Sequence, residues 1–125
     1  MKSDFGLLIL RCGFGLSMLF GHGLDKLIHF SDRMGKFPDP LGIGSTASLA
    51  MATFAEFFCS VCLIIGFFTR IAAVPLFVTM SVAAFIVHAS DPWNNKELAV
   101  LYGIVYLTLT LTGGGKFSFD ALFRK

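Results

Sequence analysis

The run from Phe5 to Phe30, FGLLILRCGFGLSMLFGHGLDKLIHF, is long enough and apolar enough to span a bilayer, yet it contains charged residues. A transmembrane helix needs about 20 predominantly apolar residues. At about 100° per residue, the polar side chains of this run gather on one stripe of a helix. The stripe consists of Arg11, Gly15, Met18, His22, Asp25, Lys26 and His29. Because polar side chains are costly against hydrocarbon, we expect this stripe to face other helices.

A second stripe, nearly opposite the first, is made of small residues. It consists of Gly13, Ser17 and Gly21. Small residues let the backbone of a neighbouring helix approach closely in a membrane. We therefore expect this face to pack against a partner helix or against a second copy of the chain.

The composition places the chain among integral membrane proteins. Hydrophobic residues make up 55% of the 125 residues and charged residues only 14%, against about 25% charged in soluble proteins. Mean hydropathy is +0.76. A net charge of +2 is too small to indicate a nucleic-acid partner. No small-residue cleavage site follows the first apolar run, so we expect that run to be retained as a helix. The length predicts a single domain.

Four apolar runs predict four membrane spans, at about 5–28, 47–68, 71–89 and 94–112. The fold class is therefore all-α, an integral membrane four-helix bundle. Residues 31–46 are rich in proline and glycine and form the one long loop, whereas Thr69 and Arg70 form a tight turn. After the last span, Ser118 is a candidate N-cap, and Phe119, Leu122 and Phe123 share one side of a short interfacial helix.

An even number of spans places both termini on one side of the membrane. That side has five basic residues: Lys2, Arg70, Lys116, Arg124 and Lys125. The other side has four: Lys26, Arg33, Lys36 and Lys96. Since basic residues are in excess in cytoplasmic segments, the count favours cytoplasmic termini in the inner (plasma) membrane.

Two charged residues lie deep in the predicted spans. Arg11 is in the first span and Glu56 is near the middle of the second. An unpaired charge in hydrocarbon costs about 3 kcal/mol, so we predict a buried ion pair between Arg11 and Glu56. Two roles are open for it: a structural pair that fixes helix register, or a carboxylate that takes part in proton transfer or ligand binding.

Four more titratable residues cluster at the end of the predicted bundle that is opposite the chain termini. His22 and Lys26 close the first span, His88 closes the third and Glu97 opens the fourth. We predict that these four residues line a ligand-binding pocket roofed by the 31–46 loop. The alternative is a solvated interfacial belt. A metal site from His22, His88 and Glu97 is chemically conceivable, but no metal-binding motif is present.

The chain contains one C-x-x-C sequence, Cys59-Ser60-Val61-Cys62. In soluble proteins this pattern often indicates redox chemistry. On a regular helix, however, residues three apart have Cβ atoms about 5–6 Å from each other, whereas a disulfide requires about 3.8 Å. We therefore interpret both cysteines as apolar packing residues.

Taken together, these segments resemble the DoxX family of small four-helix membrane proteins. The resemblance lies in LLILRCGFGLSMLFGHGLDKL, AEFFCSVCLIIGFFTRIAAVPL, MSVAAFIVHA and KELAVLYGIVYLTLTLTGGGKFSFD. Their combined pattern is Glu56, then G-F-x-T-R, then His88, then Glu97, then G-x-G-x-x-S-x-D, and it covers nearly the whole chain. The resemblance implies a membrane protein linked to redox complexes. One relative, DoxD, is similar to a subunit of thiosulfate:quinone oxidoreductase.

Three functions remain open at this stage. The first is a quinone-linked redox component, or a subunit of a membrane oxidoreductase complex, with quinone as the suspected cofactor. The second is a non-catalytic assembly or ligand-binding subunit, acting as a homo-oligomer or with a membrane partner. The third is a small transporter. A quinone needs an apolar slot, donors such as His88, His22 or Lys26, and a carboxylate such as Glu97 to manage protons.

Overall fold

The computed structural model describes residues 2–122, and this part of the chain consists of helices and loops without strands. Four long helices form the bundle: α1 (Lys2–Ile28), α2 (Ser45–Ile65), α3 (Thr69–Val87) and α4 (Trp93–Thr112). The first three are long and apolar enough to cross a membrane. Helix α4 has 20 residues but begins with a polar turn. The predicted all-α membrane bundle is confirmed.

The first turn of α1 and the segment that follows α4 meet at one end of the bundle, which we call the terminal end. There the backbone N–H of Lys116 donates to Asp4 Oδ1 at 3.0 Å, and the rings of Phe5 and Phe117 lie 6.3 Å apart, edge to face. The other end holds the long α1–α2 connection, with one helical turn at Phe30–Arg33, and the short α3–α4 connection. We call it the loop end.

Glycines allow α1 and α2 to cross in close contact. A Cβ added at Gly23 would lie 2.3 Å from the carbonyl oxygen of Glu56, and one at Gly15 would lie 2.8 Å from Ile64 Cγ1. Arg11, Gly15 and Met18 are buried, as expected for the polar stripe of α1. The predicted small stripe is different, because Gly13 and Gly21 have nothing within 4 Å of an added Cβ. That stripe is exposed on the outside of the bundle.

Helix α2 ends three residues before the predicted boundary. Gly66 caps it with a positive φ of 74°, which is accessible to a residue without Cβ. Phe68 follows with φ 49°, and the Asp120 carboxylate accepts hydrogen bonds from the N–H groups of Phe68 and Thr69 at 2.6 and 2.9 Å. A carboxylate at this place caps the N-terminus of α3.

The predicted C-terminal interfacial helix lies only partly within the described residues. The described part is a single 3-10 turn, Phe119–Leu122, and Phe123 lies outside the described residues. Ser118 Oγ donates to the carbonyl of Gly115, so it closes a turn instead of capping an α-helix. Because the Asp120 N–H donates to the carbonyl of Gly66 at 2.8 Å, the segment is bound to the terminal end of the bundle.

The core lies between the four long helices. Its largest fully buried apolar side chains are Tyr106, Met18, Leu49, Leu63, Leu76 and Leu109. Tyr102 stacks on Tyr106 with ring centroids 5.9 Å apart, and both tyrosines lie on the side of α4 that faces the other helices. Both rings belong to the core, and Tyr102 also lines the cavity at the loop end.

Candidate functional site

A cavity of about 410 Å³ lies at the loop end, between the four long helices. Its volume is within the range of small-molecule sites. The long loop contributes apolar lining residues: Phe37, Pro38, Pro40, Leu41 and Ile43. Helices α2, α3 and α4 contribute mostly aliphatic side chains. The polar groups at its wall include His22, Lys26, Glu56, His88 and Asn95.

An ion pair between Lys26 and Glu56 lies in the cavity wall. Lys26 Nζ is 2.7 Å from Glu56 Oε1, and the two side chains are only 14% and 5% exposed. The pair joins α1 to α2 one helical turn beyond the contact at Gly23. Both charges therefore lie in a largely apolar setting, where an ion pair is screened much less than at a protein surface.

The predicted ion pair between Arg11 and Glu56 is wrong. The crossing at Gly23 brings Glu56 level with the end of α1, whereas Arg11 lies level with the end of α2. The guanidinium of Arg11 donates to the carbonyls of Leu63 and Ile64, at 3.0 and 3.3 Å, and also to the carbonyl of Phe117. The last carbonyls of a helix have no partner within that helix, so main-chain carbonyls accept the hydrogen bonds of the two terminal nitrogens of the buried Arg11, in place of a carboxylate.

The two cavity histidines have different surroundings. His88 ends α3, and its Nδ1 donates to Asp91 Oδ2 at 2.7 Å, which leaves Nε2 as the nitrogen for a ligand. His22 packs edge-to-face against the ring of Tyr102, with centroids 6.0 Å apart. His22, Lys26 and His88 thus line one cavity, as the sequence predicts for three of the four cluster residues.

Glu97 is the exception among the predicted ligand-binding residues. Its side chain is exposed and does not line the cavity. The residues of α4 that line the cavity are instead Asn95, Leu98, Ala99 and Tyr102. Because successive residues of a helix are about 100° apart, Glu97 lies on a different face of α4. Glu56, predicted as a partner of Arg11, is the carboxylate in the cavity wall.

Three of the helices contain a π-helical turn near the cavity. These turns are Leu19–Gly23 in α1, Phe54–Cys59 in α2 and Ala83–Val87 in α3. The first contains His22, the second contains Glu56, and His88 directly follows the third. π-helical turns are rare and are frequent at functional sites. Each turn changes the register of its helix just where a polar side chain reaches the cavity.

Asp39 holds in place the long loop between α1 and α2, which covers the cavity and is called the covering loop below. Its carboxylate accepts hydrogen bonds from Ser48 Oγ and from the backbone N–H groups of Ile43 and Gly44, at 2.9 to 3.0 Å. The hydrogen bond from Ser48, together with those from the backbone, holds the pKa of Asp39 below its ordinary value. The carboxylate thereby ties the loop to the first turn of α2.

Comparison with known proteins identifies the family. The sequence profile of DoxX matches residues 6–89. The chain belongs to the DoxX family. Two relatives, each an uncharacterized protein of Haemophilus influenzae, are 33% identical to it. One alignment covers 86% of this chain and 84% of the relative, and the other covers 98% and 86%. No solved structure matches it.

The residues that carry the DoxX resemblance fall into two groups in space. At the terminal end, Arg11, Gly66, Thr69, Ser118 and Asp120 join α1, the α2–α3 turn and the C-terminal segment. A Cβ on Gly66 would lie 2.4 Å from that of Ser118, so this group is closely packed. At the loop end, His22, Lys26, Glu56 and His88 line the cavity. In this DoxX protein the first group is thus closely packed, and the second lines the cavity.

Neither a metal centre nor a disulfide is formed by the described residues. Between residues 2 and 122, no group of three His, Cys, Asp or Glu side chains could hold a metal ion. Cys12, Cys59 and Cys62 are free thiols. Cys59 ends the π-helical turn of α2 and packs in the hydrophobic core of this DoxX protein.

Sequence reasoning missed two cavity residues on α4, Tyr102 and Asn95. Tyr102 is 5% exposed, and its ring also packs edge-to-face on Phe14 of α1, at 5.4 Å. Its spacing of four residues from Leu98 is the signal that could have revealed it, because both then lie on one face of α4. No comparable signal marks Asn95, which lies in the polar first turn.

Proposed function

We propose that this DoxX protein binds a quinone in the cavity at the loop end and acts as a subunit of a membrane oxidoreductase complex. The observation that carries the proposal is the Lys26–Glu56 ion pair in the wall of a cavity that is otherwise mostly apolar. Replacing a buried ion pair by apolar residues is often neutral or stabilising. Stability alone therefore gives little reason for these two charges, whereas ligand chemistry does.

The cavity matches the chemistry of a quinone head group. The ring is flat and apolar, and the loop and α3 supply apolar walls. Its two carbonyl oxygens accept hydrogen bonds. Lys26 has N–H donors beyond the one directed at Glu56, which suit a quinone carbonyl, whereas the Nε2 of a neutral His88 ring that donates from Nδ1 to Asp91 is an acceptor and suits a quinol hydroxyl. These two groups lie on different helices, so they can approach a flat ring from different directions.

Reduction of a quinone to a quinol consumes two electrons and two protons. The sequence has no haem, flavin or iron–sulfur motif, so the electrons would come from a partner subunit that carries such a group. Glu56 is the cavity carboxylate that would exchange protons with the bound ring, in the role that sequence reasoning gave to Glu97. Lys26, whose Nζ lies 2.7 Å from Glu56 Oε1, would hold this carboxylate in place in the cavity wall.

The proposal includes a location and an orientation. The protein would lie in the inner (plasma) membrane with both termini in the cytoplasm, which places the cavity near the outer face. The excess of basic residues on the side of the termini supports this orientation. The exposed stripe of Gly13, Ser17 and Gly21 would contact a second copy or another subunit of the complex.

A second candidate function is that of a non-catalytic ligand-binding or assembly subunit. It is favoured by the exposed small-residue stripe, which suits a helix-packing partner. The two candidates make different predictions for electron transfer. Only the first requires that a bound quinone becomes reduced when the complex receives its electron donor.

The test is a thermal titration of the purified protein in lipid nanodiscs with a short-chain quinone. A ligand that binds only the folded state stabilises it by RT ln(1 + [L]/Kd), or about 2.7 kcal/mol at a hundredfold excess over Kd. We expect the midpoint of unfolding to rise for the wild type and for Glu97→Gln, but not for His88→Ala or Glu56→Gln. An unchanged midpoint in the wild type contradicts the proposal, as does an equal rise in all four proteins.

A further inference from the structure

A second, smaller cavity lies on the other side of the α3–α4 pair. Its volume is about 180 Å³, and its lining is almost entirely apolar. It is a groove between the two helices, with Phe77, Ser81 and Ala84 on α3 and Val100 and Ile104 on α4. The hydroxyl of Ser81 donates to the carbonyl of Phe77 at 2.9 Å, so even this polar side chain is satisfied within its own helix.

Two residues, Met80 and Ala99, line both the groove and the main cavity. They form the partition between the two spaces. The partition is thin, because Ala99 is small and Gly103 beside it has no side chain. A Cβ added at Gly103 would touch only the Cβ of Met80, at 3.8 Å. Methionine is unbranched and flexible, so the Met80 side chain can change rotamer and join the two spaces.

We propose that the ligand of the main cavity is an amphiphile with a long apolar tail, and that the tail leaves the cavity between α3 and α4, past Met80 and Ala99, into the groove. This inference rests on the proposed function and specifies the class of ligand: a quinone with an isoprenoid tail. The head group remains at Lys26 and Glu56, and the tail reaches the lipid through the side of the bundle.

Two physical arguments support this route. The main cavity has the size of a site for one small molecule, so a long tail has to leave it. An exit at the loop end would lead past the loop into water, where a long apolar tail is unfavourable. The groove between α3 and α4 leads instead to the lipid-facing surface, where Ile104 is 57% exposed.

The test compares two quinones with the same ring, one without a tail and one with a tail of several isoprenoid units. Their dissociation constants are measured in the same nanodiscs for the wild type, for Val100→Trp, which fills the groove, and for Leu101→Trp, the matched control. Leu101 is 47% exposed on the same helix but lines neither cavity. Comparing each probe between variants removes the contribution of its partition into lipid.

We expect Val100→Trp to raise the dissociation constant of the tailed quinone by about tenfold or more, because the indole fills the groove that the tail would occupy. The tail-free quinone should bind all three proteins equally, and Leu101→Trp should resemble the wild type with both probes. If both tryptophan variants affect the tailed quinone equally, or neither does, the tail route is overturned while the quinone site stands. If neither quinone binds the wild type, the proposed function fails together with the route.

Discussion

Lys26 and Glu56 form an ion pair of 2.7 Å where α1 and α2 cross, three residues beyond the glycine that lets these helices touch. The pair has two consequences. It fixes the register of the crossing at the loop end, and it places one positive and one negative group in the wall of the cavity. The contact between the helices and the chemical role that we propose for the pair would therefore be lost together.

The first prediction concerns the coupling of this pair. Glu56→Gln and Lys26→Met should each lower the free energy of unfolding by about 3 kcal/mol, because removal of one partner leaves the other charge buried and unpaired. The double variant should lose less than the sum of the two. A double-mutant cycle measured in detergent gives the coupling energy.

The matched control for this cycle is Arg11 with Glu56. Because the partners of Arg11 are the carbonyls of Leu63, Ile64 and Phe117, the effects of Arg11→Met and Glu56→Gln should add without coupling. Coupling between Arg11 and Glu56, together with none between Lys26 and Glu56, would show that the pairing described above is wrong.

The second prediction concerns the close approach of α1 to α2. Gly23→Ala should destabilise the protein by about 2 kcal/mol or more, because the new Cβ would meet the carbonyl oxygen of Glu56 at 2.3 Å. Gly21→Ala, two residues earlier on the exposed face, should be neutral or slightly stabilising, since alanine favours helix by about 1 kcal/mol over glycine. Thermal unfolding of both variants tests this difference, and equal effects would contradict it.

The third prediction is a pH dependence of the covering loop. Since the pKa of Asp39 is lower in the folded loop than in the unfolded chain, the carboxylate stabilises the loop above the unfolded pKa. This stabilisation is lost as the pH falls through the folded pKa, below the ordinary value of 3.8. The amide NMR signals of Ile43 and Gly44 should report that titration, and Asp39→Asn should abolish it. A midpoint at or above 3.8 would contradict the capping role.

The fourth prediction concerns association through the exposed small-residue stripe. Replacing Gly13, Ser17 and Gly21 together by leucine should abolish self-association or release a partner subunit, because the backbones can no longer approach closely. Leu16→Phe, which adds bulk on a different exposed side of α1, should have no such effect. Sedimentation in detergent measures the change, and an unchanged mass of the triple variant would exclude this face as an interface.

Sequence periodicity predicts the helices and the buried stripe of α1, because both follow from local geometry and from the cost of polar groups in lipid. It does not predict the partner of Arg11. The prediction treated a buried guanidinium as in need of a carboxylate, whereas the last carbonyls of α2 serve it equally well. The depth of a residue, counted from the end of its apolar run, also gave no information on where α1 and α2 cross.

Three of the four residues that the sequence places around a pocket line the cavity, whereas Glu97 does not and Glu56 does. His22, Lys26 and His88 were found because each lies near a helix end at the loop end. Glu56 was assigned to another layer, since its link to Lys26 depends on the crossing at Gly23. The hydrophobic pattern does not indicate the three π-helical turns, although each turn changes the helical phase of the residues that follow it.

The most direct test is native mass spectrometry of the protein gently extracted from its own membrane, with parallel analysis of the extracted lipids. Our account predicts a bound quinone on the wild type and on Glu97→Gln, whose changed side chain lies outside the cavity. The quinone should be lost in His88→Ala and in Glu56→Gln. A wild-type protein that carries no quinone, or a quinone retained equally by all four proteins, would contradict the assignment of the cavity as its binding site.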